Sequence, residues 1–404
     1  MVKIREVVAN LSYFHHDLKK GNEFMKFGKK NEIQVNPLMY NMMLIGESGI
    51  GKTTIMKEYC EKLAGEDGYI FLEIGKEDGA SSINGINYLN CPEWDMDYDE
   101  DTNSIGFNTF IEDVIDNKSS DWKDLKVVVI DTYDELFAIA EPEVINMHNR
   151  ENPNKRVKSI KAAFGGFQAG EDKAIEIVLE SLWSLKKVGV SFIVIGHTKN
   201  RNVTDPVTGE DYLQLTSNMS QKYFNAMKTK VHFLGVAAID REIVKVKTGK
   251  KNIATKEDIK KGVVMSETRK ISFRDDNFVI DSKSRFADIV ESIPFDVDEL
   301  IKAITDAIKS EVDKSGQKFE DVAKKQAKQA KIEEAKVAAK EKSQKEHKQI
   351  TEIVDKIVTY FIANKTNIDI IKPILLRCKE LGYDNPKDID DINVAKEIFA
   401  MIKE

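Results

Sequence analysis

The residues Gly46, Glu47, Ser48, Gly49, Ile50, Gly51, Lys52, Thr53 and Thr54 have the types and spacing to hold a phosphate. They fit Gly-x-x-x-x-Gly-Lys-Ser/Thr. Glycines let such a loop pass through positive φ and wrap an anion, and the backbone N–H groups at the start of the following helix point at it. In that chemistry Lys52 reaches the β- and γ-phosphates of a nucleotide, and the Thr53 hydroxyl binds Mg²⁺. A carboxylate at the tip of a neighbouring strand must help hold the metal. Lys-Val-Val-Val-Ile-Asp supplies Asp131 for that role. Hydrolysis also needs a group that orients the attacking water. Glu73 and Glu77 lie at or just past the end of one apolar run, and Glu135 follows Asp131; of the three, Glu73 is preferred. His197 ends another apolar run in Gly-His-Thr-Lys-Asn. A polar residue there, at the carboxyl end of a sheet, can sense the γ-phosphate.

These groups need a rigid frame. The runs 41–45, 69–74, 126–130, 190–195 and 231–239 are short, rich in Val and Ile, and not alternating, as strands buried on both faces are. Helical patterns lie between them. Residues 172–187 put Ile175, Val178, Leu179, Leu182 and Leu185 on one stripe. Strand and helix in alternation predict an α/β sandwich with a parallel sheet. After residue 240 the short runs REIVKVK, GVVMS, RKISF and NFVID predict antiparallel strands that extend that sheet. The predicted organisation is a helical or linker segment over 1–40, an ATPase-type core over 41–295, a charged helical spacer over 296–349 and a small helical module over 350–404. The C-terminal part is all-α.

The resemblance of this chain to a known family rests on Gly46–Thr54, VVVIDTYDEL, the FGGFQAGEDK turn, VIGHTKN and the run from Leu215 to Val244. Together these look like the phage-encoded AAA-type, RecA-like P-loop ATPases, some of them implicated in single-strand annealing and recombination. The resemblance covers roughly residues 38–295. It implies ATP and Mg²⁺ as cofactors. DSKSRF, residues 281–286, is similar to the KNRF motif of RadA-type relatives, with Ser284 in place of Asn. There a Lys and an Arg reach the nucleotide of the neighbouring subunit. That would give Lys283 and Arg285 a finger role in a ring or filament of identical chains. In RecA-like proteins loops at two further places line the DNA channel. Here these are 150–168, with Arg150, Lys155, Arg156, Lys158, Lys161, Phe164 and Phe167, and the polar stretch 199–222, expected as a long loop. Cations neutralise phosphates and aromatics stack bases there, so single-stranded DNA is the expected partner.

Composition bounds the rest. Hydrophobic residues make up 41% and charged residues 32% of the 404, enough to bury a core and stay soluble. No apolar run approaches the roughly 20 residues of a membrane helix, and the start of the chain does not look like a secretory leader. Three scattered cysteines fit a reducing compartment, so a cytoplasmic protein is expected, in the host cytoplasm if phage-encoded. Residues 93–101 are expected as a solvated acidic loop. The net charge of −7 argues against a permanent DNA coat, yet it hides basic groups at 150–161, 245–251 and 269–274. Three functions compete: a DNA-stimulated ATPase of recombination or annealing, a helicase or helicase loader, and a nucleotide-switched protein whose helical tail recruits a single-strand-binding or replication partner. A small-molecule kinase is weaker still, with no acceptor site in view.

Overall fold

The structure is a computed structural model and describes residues 31–251, 258–274, 279–364 and 367–403. Two units divide the chain, residues 1–34 and 35–404. In the first, residues 31–34 carry no regular secondary structure. The helices expected before residue 31 lie outside the described residues.

The second unit is built on a ten-stranded sheet. Strands β1 (Met42–Gly46), β2 (Tyr69–Ile74), β4 (Val127–Asp131) and the first part of β5 (Ser191–Thr204) and β7 (Phe233–Lys251) run parallel in the order β7-β1-β5-β4-β2. A short strand β3 (Tyr88–Cys91) closes one edge, parallel to β2. On the other edge β8 (Asp258–Ser272) and β10 (Ser292–Pro294) are antiparallel. Strand β6 (Asp211–Ser217) pairs with the end of β5, and β9 (Lys283–Ser284) with the start of β7. This is the expected α/β architecture: a mostly parallel sheet, extended by antiparallel strands and followed by helices.

Burial on both faces explains the apolar runs. Met43, Ile45, Leu72, Ile74, Val128, Ile130, Phe192 and Val194 belong to one core. Helices α2 (Phe107–Asp116), α3 (Tyr133–Glu151) and α4 (Ala169–Lys187) cover it, with α5 (Gln221–Lys228) beside them. In α4 the predicted stripe holds: Val178, Leu182 and Leu185 are buried, and Ile175 and Leu179 pack against the same core. The alternate strand residues Leu44, Phe71, Val129 and Ile193 are equally buried and face the other way. That face carries α1 (Lys52–Ala64), with α6 (Val297–Lys314) packed on it.

Helix α7 (Phe319–Ala363) is 45 residues long and runs unbroken through the change from charged to apolar pattern at residue 349. Its end packs with α8 (Ile368–Glu380) and α9 (Ile392–Lys403) around Ile350, Val354, Ile357, Ile374, Cys378 and Ile398. Among the described residues no helix is long and apolar enough to cross a membrane.

Three expectations are corrected. The stretch 199–222 is not a loop: β5 continues to Thr204, turns, and returns as β6, and α5 begins at Gln221. Both faces of this hairpin are largely solvated, so its sequence lacks the apolar alternation that marks a half-buried strand. The described part of NFVID, Val279 to Asp281, joins no named strand. Asn277 and Phe278 lie outside the described residues, and Ile280 makes one isolated bridge to Leu215. Strand β3 was not expected. Four residues with only Leu89 and Cys91 strongly apolar do not stand out from a loop.

Candidate nucleotide site

The carboxyl ends of β1, β2, β4 and β5 gather the predicted residues into one place. The loop after β1 lies against the start of β7. A Cβ on Gly46 would come within 2.9 Å of both the Ala237 carbonyl oxygen and its Cβ, so only glycine lets the two strands approach here. Gly51 caps α1 in the left-handed region at φ 104°, a turn that other residues adopt only under strain. Lys52 and Thr53 open α1. Lys52 is buried, and its Nζ donates to the carbonyls of Gly46 and Glu47 at 3.2 and 3.1 Å. Burial pulls its ammonium below the ordinary range, against the pull of Asp131, Asp134 and Glu77.

Thr53 Oγ1 donates to Asp131 Oδ2 at 2.6 Å. Asp131 is 5% exposed. Burial lifts its carboxyl to about 6, opposed by the Thr53 hydroxyl and Lys52. Hydroxyl and carboxylate are thus paired where a divalent cation can bridge them. Among the described residues no group of three or more His, Cys, Asp or Glu could hold a metal. Phosphate oxygens and water would complete the shell of a cation held at Thr53 and Asp131. The loop, its lysine and this pair fit a nucleotide with Mg²⁺.

Of the three candidate glutamates the structure separates one. Glu73 stands level with Asp131 in the β2–β4 register and is 2% exposed. Its Oε1 accepts from the Ala80 N–H at 2.5 Å, while Oε2 is buried with no hydrogen-bond partner. Burial raises its pKa, and the Ala80 N–H only partly offsets that. An orphaned buried carboxylate oxygen costs free energy and calls for a ligand. Glu77 accepts weakly from Thr132 Oγ1 at 3.4 Å, and Glu135 lies against Gly75.

His197 stands beside Gly46 in the β1–β5 register. Its Nδ1 meets Asp134 Oδ2 at 2.8 Å, and Asn218 Nδ2 donates to the same oxygen at 3.2 Å. The Asp134 bond raises the His197 pKa against burial. Burial works to raise the Asp134 carboxyl, but hydrogen bonds from His197 and Asn218 hold it low. The triangle joins the sheet end, the first turn of α3 and the β5–β6 hairpin.

Lys283 and Arg285 are not brought to this site. Lys283 pairs with Leu234 at the start of β7, the opposite end of the sheet from Gly46. Lys283 Nζ donates to the Lys228 carbonyl at 2.6 Å and Arg285 Nη2 to the Thr229 carbonyl at 2.7 Å. Within one chain they cannot touch the nucleotide bound at the Gly46–Thr54 loop. Two other groups do reach that loop and were not foreseen. Arg269 Nη1 donates to the Ile50 carbonyl at 3.3 Å, and the Phe295 ring lies 3.4 Å from where a Gly51 Cβ would be. Arg269 stood out in the sequence only as one of a basic group, 219 residues from its partner.

The profile of the AAA domain family matches residues 39–261, more than half the chain. The chain belongs to this family. As an AAA-domain protein it has the nucleotide-binding core that the Gly46–Thr54 loop and Asp131 outline. Solved structures match as well. One is a KaiC-like protein from the hyperthermophilic archaeon Pyrococcus horikoshii OT3, at 14% identity and a TM-score of 0.33, covering 64% of this chain and 85% of that one. No curated protein matches the AAA-domain chain.

Proposed function

We propose that this AAA-domain protein hydrolyses ATP with Mg²⁺ and acts on single-stranded DNA as a ring or filament of identical chains, in recombination, annealing or replication of the phage type. The observation that carries the reading is Glu73: a buried carboxylate with one free oxygen, level with Asp131. ATP with Mg²⁺ supplies the transferable phosphoryl group and charge neutralisation. Lys52 exchanges its two loop carbonyls for phosphate oxygens. Thr53 and Asp131 would hold the Mg²⁺. Glu73, its pKa raised by burial, orients and deprotonates water. Lys283 and Arg285 serve a neighbour's nucleotide, since their own lies at the far end of the sheet.

Two features support DNA as the partner. After α3 the backbone passes through positive φ at Phe164, Gly165, Gly166, Phe167 and Gln168, and Phe167 is fully exposed. The loop is pinned, not loose: His148 Nδ1 accepts from the Phe164 N–H at 3.1 Å, and Asn149 bonds both the N–H and the carbonyl of Val157. Arg156, Lys158 and Lys161 are exposed beside it. A held-out aromatic among cations suits a stacked base and its phosphates. The second feature is the β5–β6 hairpin, which continues the very strand that carries His197. Loop and hairpin both trace back to the His197–Asp134 triangle, which in this reading would couple the γ-phosphate to DNA.

The test is ATPase rate with and without single-stranded DNA, in wild type, Lys52→Ala and Phe167→Ala. Stimulation by DNA that Phe167→Ala weakens, with basal turnover kept, is expected. A rate indifferent to any DNA overturns the reading. One observation favours partner recruitment as a second role. The C-terminal helices carry an open cleft of about 420 Å³ lined by Val358, Phe361, Ile362, Leu375 and Pro386, with Ile362 66% exposed.

A further inference from the structure

Past the sheet, β7 and β8 pair only with each other among the described residues. β1 leaves β7 at Ala237, and β10 leaves β8 at Lys270. Among its described side chains both faces of this two-stranded ribbon are open. Val244 and Val263 stand opposite each other at 41% exposure. Val264, on the other face, is 51% exposed, and Met265 at the bulge is 64% exposed.

Its charge runs against that of the chain. Strand segments 241–251 and 258–270 hold nine Lys and Arg against three acids, in a protein of net charge −7. Near the sheet the charges pair off, Arg241 with Glu267 and Lys270 with Asp240, both at 3.1 Å. Toward the tip the two strands carry Lys245, Lys247, Lys250, Lys251, Lys260 and Lys261 against Asp258. Lys247 and Lys260 are placed directly opposite in register. Lys245 and Lys261 are both exposed, and such an excess of cations on one ribbon suits a polyanion.

We propose that the β7–β8 ribbon is a duplex-DNA-binding element that enters the major groove, with its lysines on the flanking phosphates. A two-stranded ribbon has the width that the B-form major groove, about 12 Å across, admits. The deep, narrow major groove of A-form RNA does not admit it. The exposed valines and Met265 offer apolar contact of the kind thymine methyls accept. The assignment rests on the single-strand reading only in taking nucleic acid as the polyanion, and it gives the chain a second, separate nucleic-acid surface.

The test is fluorescence anisotropy of the full chain on a short duplex and on a single strand of the same sequence. Two variants are compared with wild type. One carries Lys245→Glu, Lys247→Glu, Lys260→Glu and Lys261→Glu. The other replaces 246–261 with Asn-Gly, closing the hairpin on the Lys245–Gly262 register pair and keeping the test alive if charge reversal disturbs folding. In both, duplex affinity should fall at least about tenfold at about 0.1 M salt. The slope of log affinity against log salt should fall by about 3 to 4 in the four-lysine variant and by about 5 in the replacement, which removes six lysines, since each phosphate no longer neutralised by a lysine removes ~0.9 from it. Single-strand binding and melting temperature should hold. Unchanged duplex affinity and slope overturn the proposal. So does a wild type that ignores duplex, which leaves the single-strand reading to its own ATPase test. Loss of self-association, or of binding to anionic vesicles, with duplex binding kept would also overturn it, making the ribbon a protein or membrane contact.

Discussion

The two ends of the central sheet are built on opposite principles. At the carboxyl end, polar groups are buried and left incomplete: Glu73 Oε2 and Asp134 Oδ1 have no hydrogen-bond partner, and the Asp131 carboxyl is pushed up to about 6. At the amino end the charged groups are cations, and they are satisfied, though Ser282 Oγ is also buried without a partner. Lys283 and Arg285 donate to main-chain carbonyls, and Lys186 donates to Asn41 Oδ1 at 2.6 Å. His232 accepts from the Asn41 N–H and is held neutral, its pKa lowered to about 4 by burial and by Arg285, Lys186 and Lys283. The difference teaches where a ligand is expected within one chain. Unsatisfied buried carboxylates mark the end that waits for one, and self-satisfied cations mark an end that is stable alone and can still lend charge outward.

The most drastic way to break the comparison is Lys52→Ala. Turnover should fall to background and nucleotide binding with it, measured by phosphate release and by binding of a fluorescent nucleotide. Next, Arg285→Ala should cut turnover of the assembled protein by about 10³, the scale of an arginine finger, while nucleotide binding to the single chain is untouched. If turnover is unaffected, the amino end is purely structural and the contrast grows sharper. Glu73→Gln should cost about 10² in turnover, as removal of a general base does, and leave ATP binding intact. Because burial disfavours its charge, the same variant should melt higher than wild type at neutral pH without nucleotide. A lower melting temperature would mean that the carboxylate is a structural acceptor for Ala80.

The smallest effect separates the ends by acid. His232 titrates near 4 in the folded chain and near 6.5 unfolded. Between those values the unfolded state binds more protons, so stability falls as pH drops from about 6.5 toward 4. The loss is about 1 to 3 kcal/mol, discounted for a half-buried ring. Asp131 has the opposite sign: the folded state binds more protons, and stability rises as pH drops from about 6 toward 4. Denaturant melts of His232→Gln should show the acid loss removed and the Asp131 gain exposed. An unchanged pH profile would show that His232 does not carry it.

Much of this was legible in the sequence because the parallel strands are buried on both faces and announce themselves as apolar runs. Gly46–Thr54 and Asp131 were legible because each sits at the end of such a run. The preference for Glu73 could not be argued from sequence, since Glu77 and Glu135 are equally near strand ends. Burial and the free oxygen distinguish it, and both depend on packing. The hairpin 199–217 was hidden because a solvated ribbon has no apolar rhythm. Arg269 and Phe295 were hidden because their contact with the nucleotide loop joins residues more than 200 positions apart. DSKSRF pointed to Lys283 and Arg285, but only the β7–β9 register shows which end of the sheet they occupy.

Helix α7 carries a mechanical consequence. Its base is fixed to the core by buried Val322 and by Gln326, which accepts from the Val35 N–H at 2.9 Å. At 1.5 Å per residue its 45 residues reach about 68 Å. A tilt of about 5° at the base swings the far end by about 6 Å on that geometry, the width of a side-chain contact. The cleft at Phe361 and Ile362 thus rides at the end of a lever, and small movements of the core become large displacements of whatever the C-terminal helices hold.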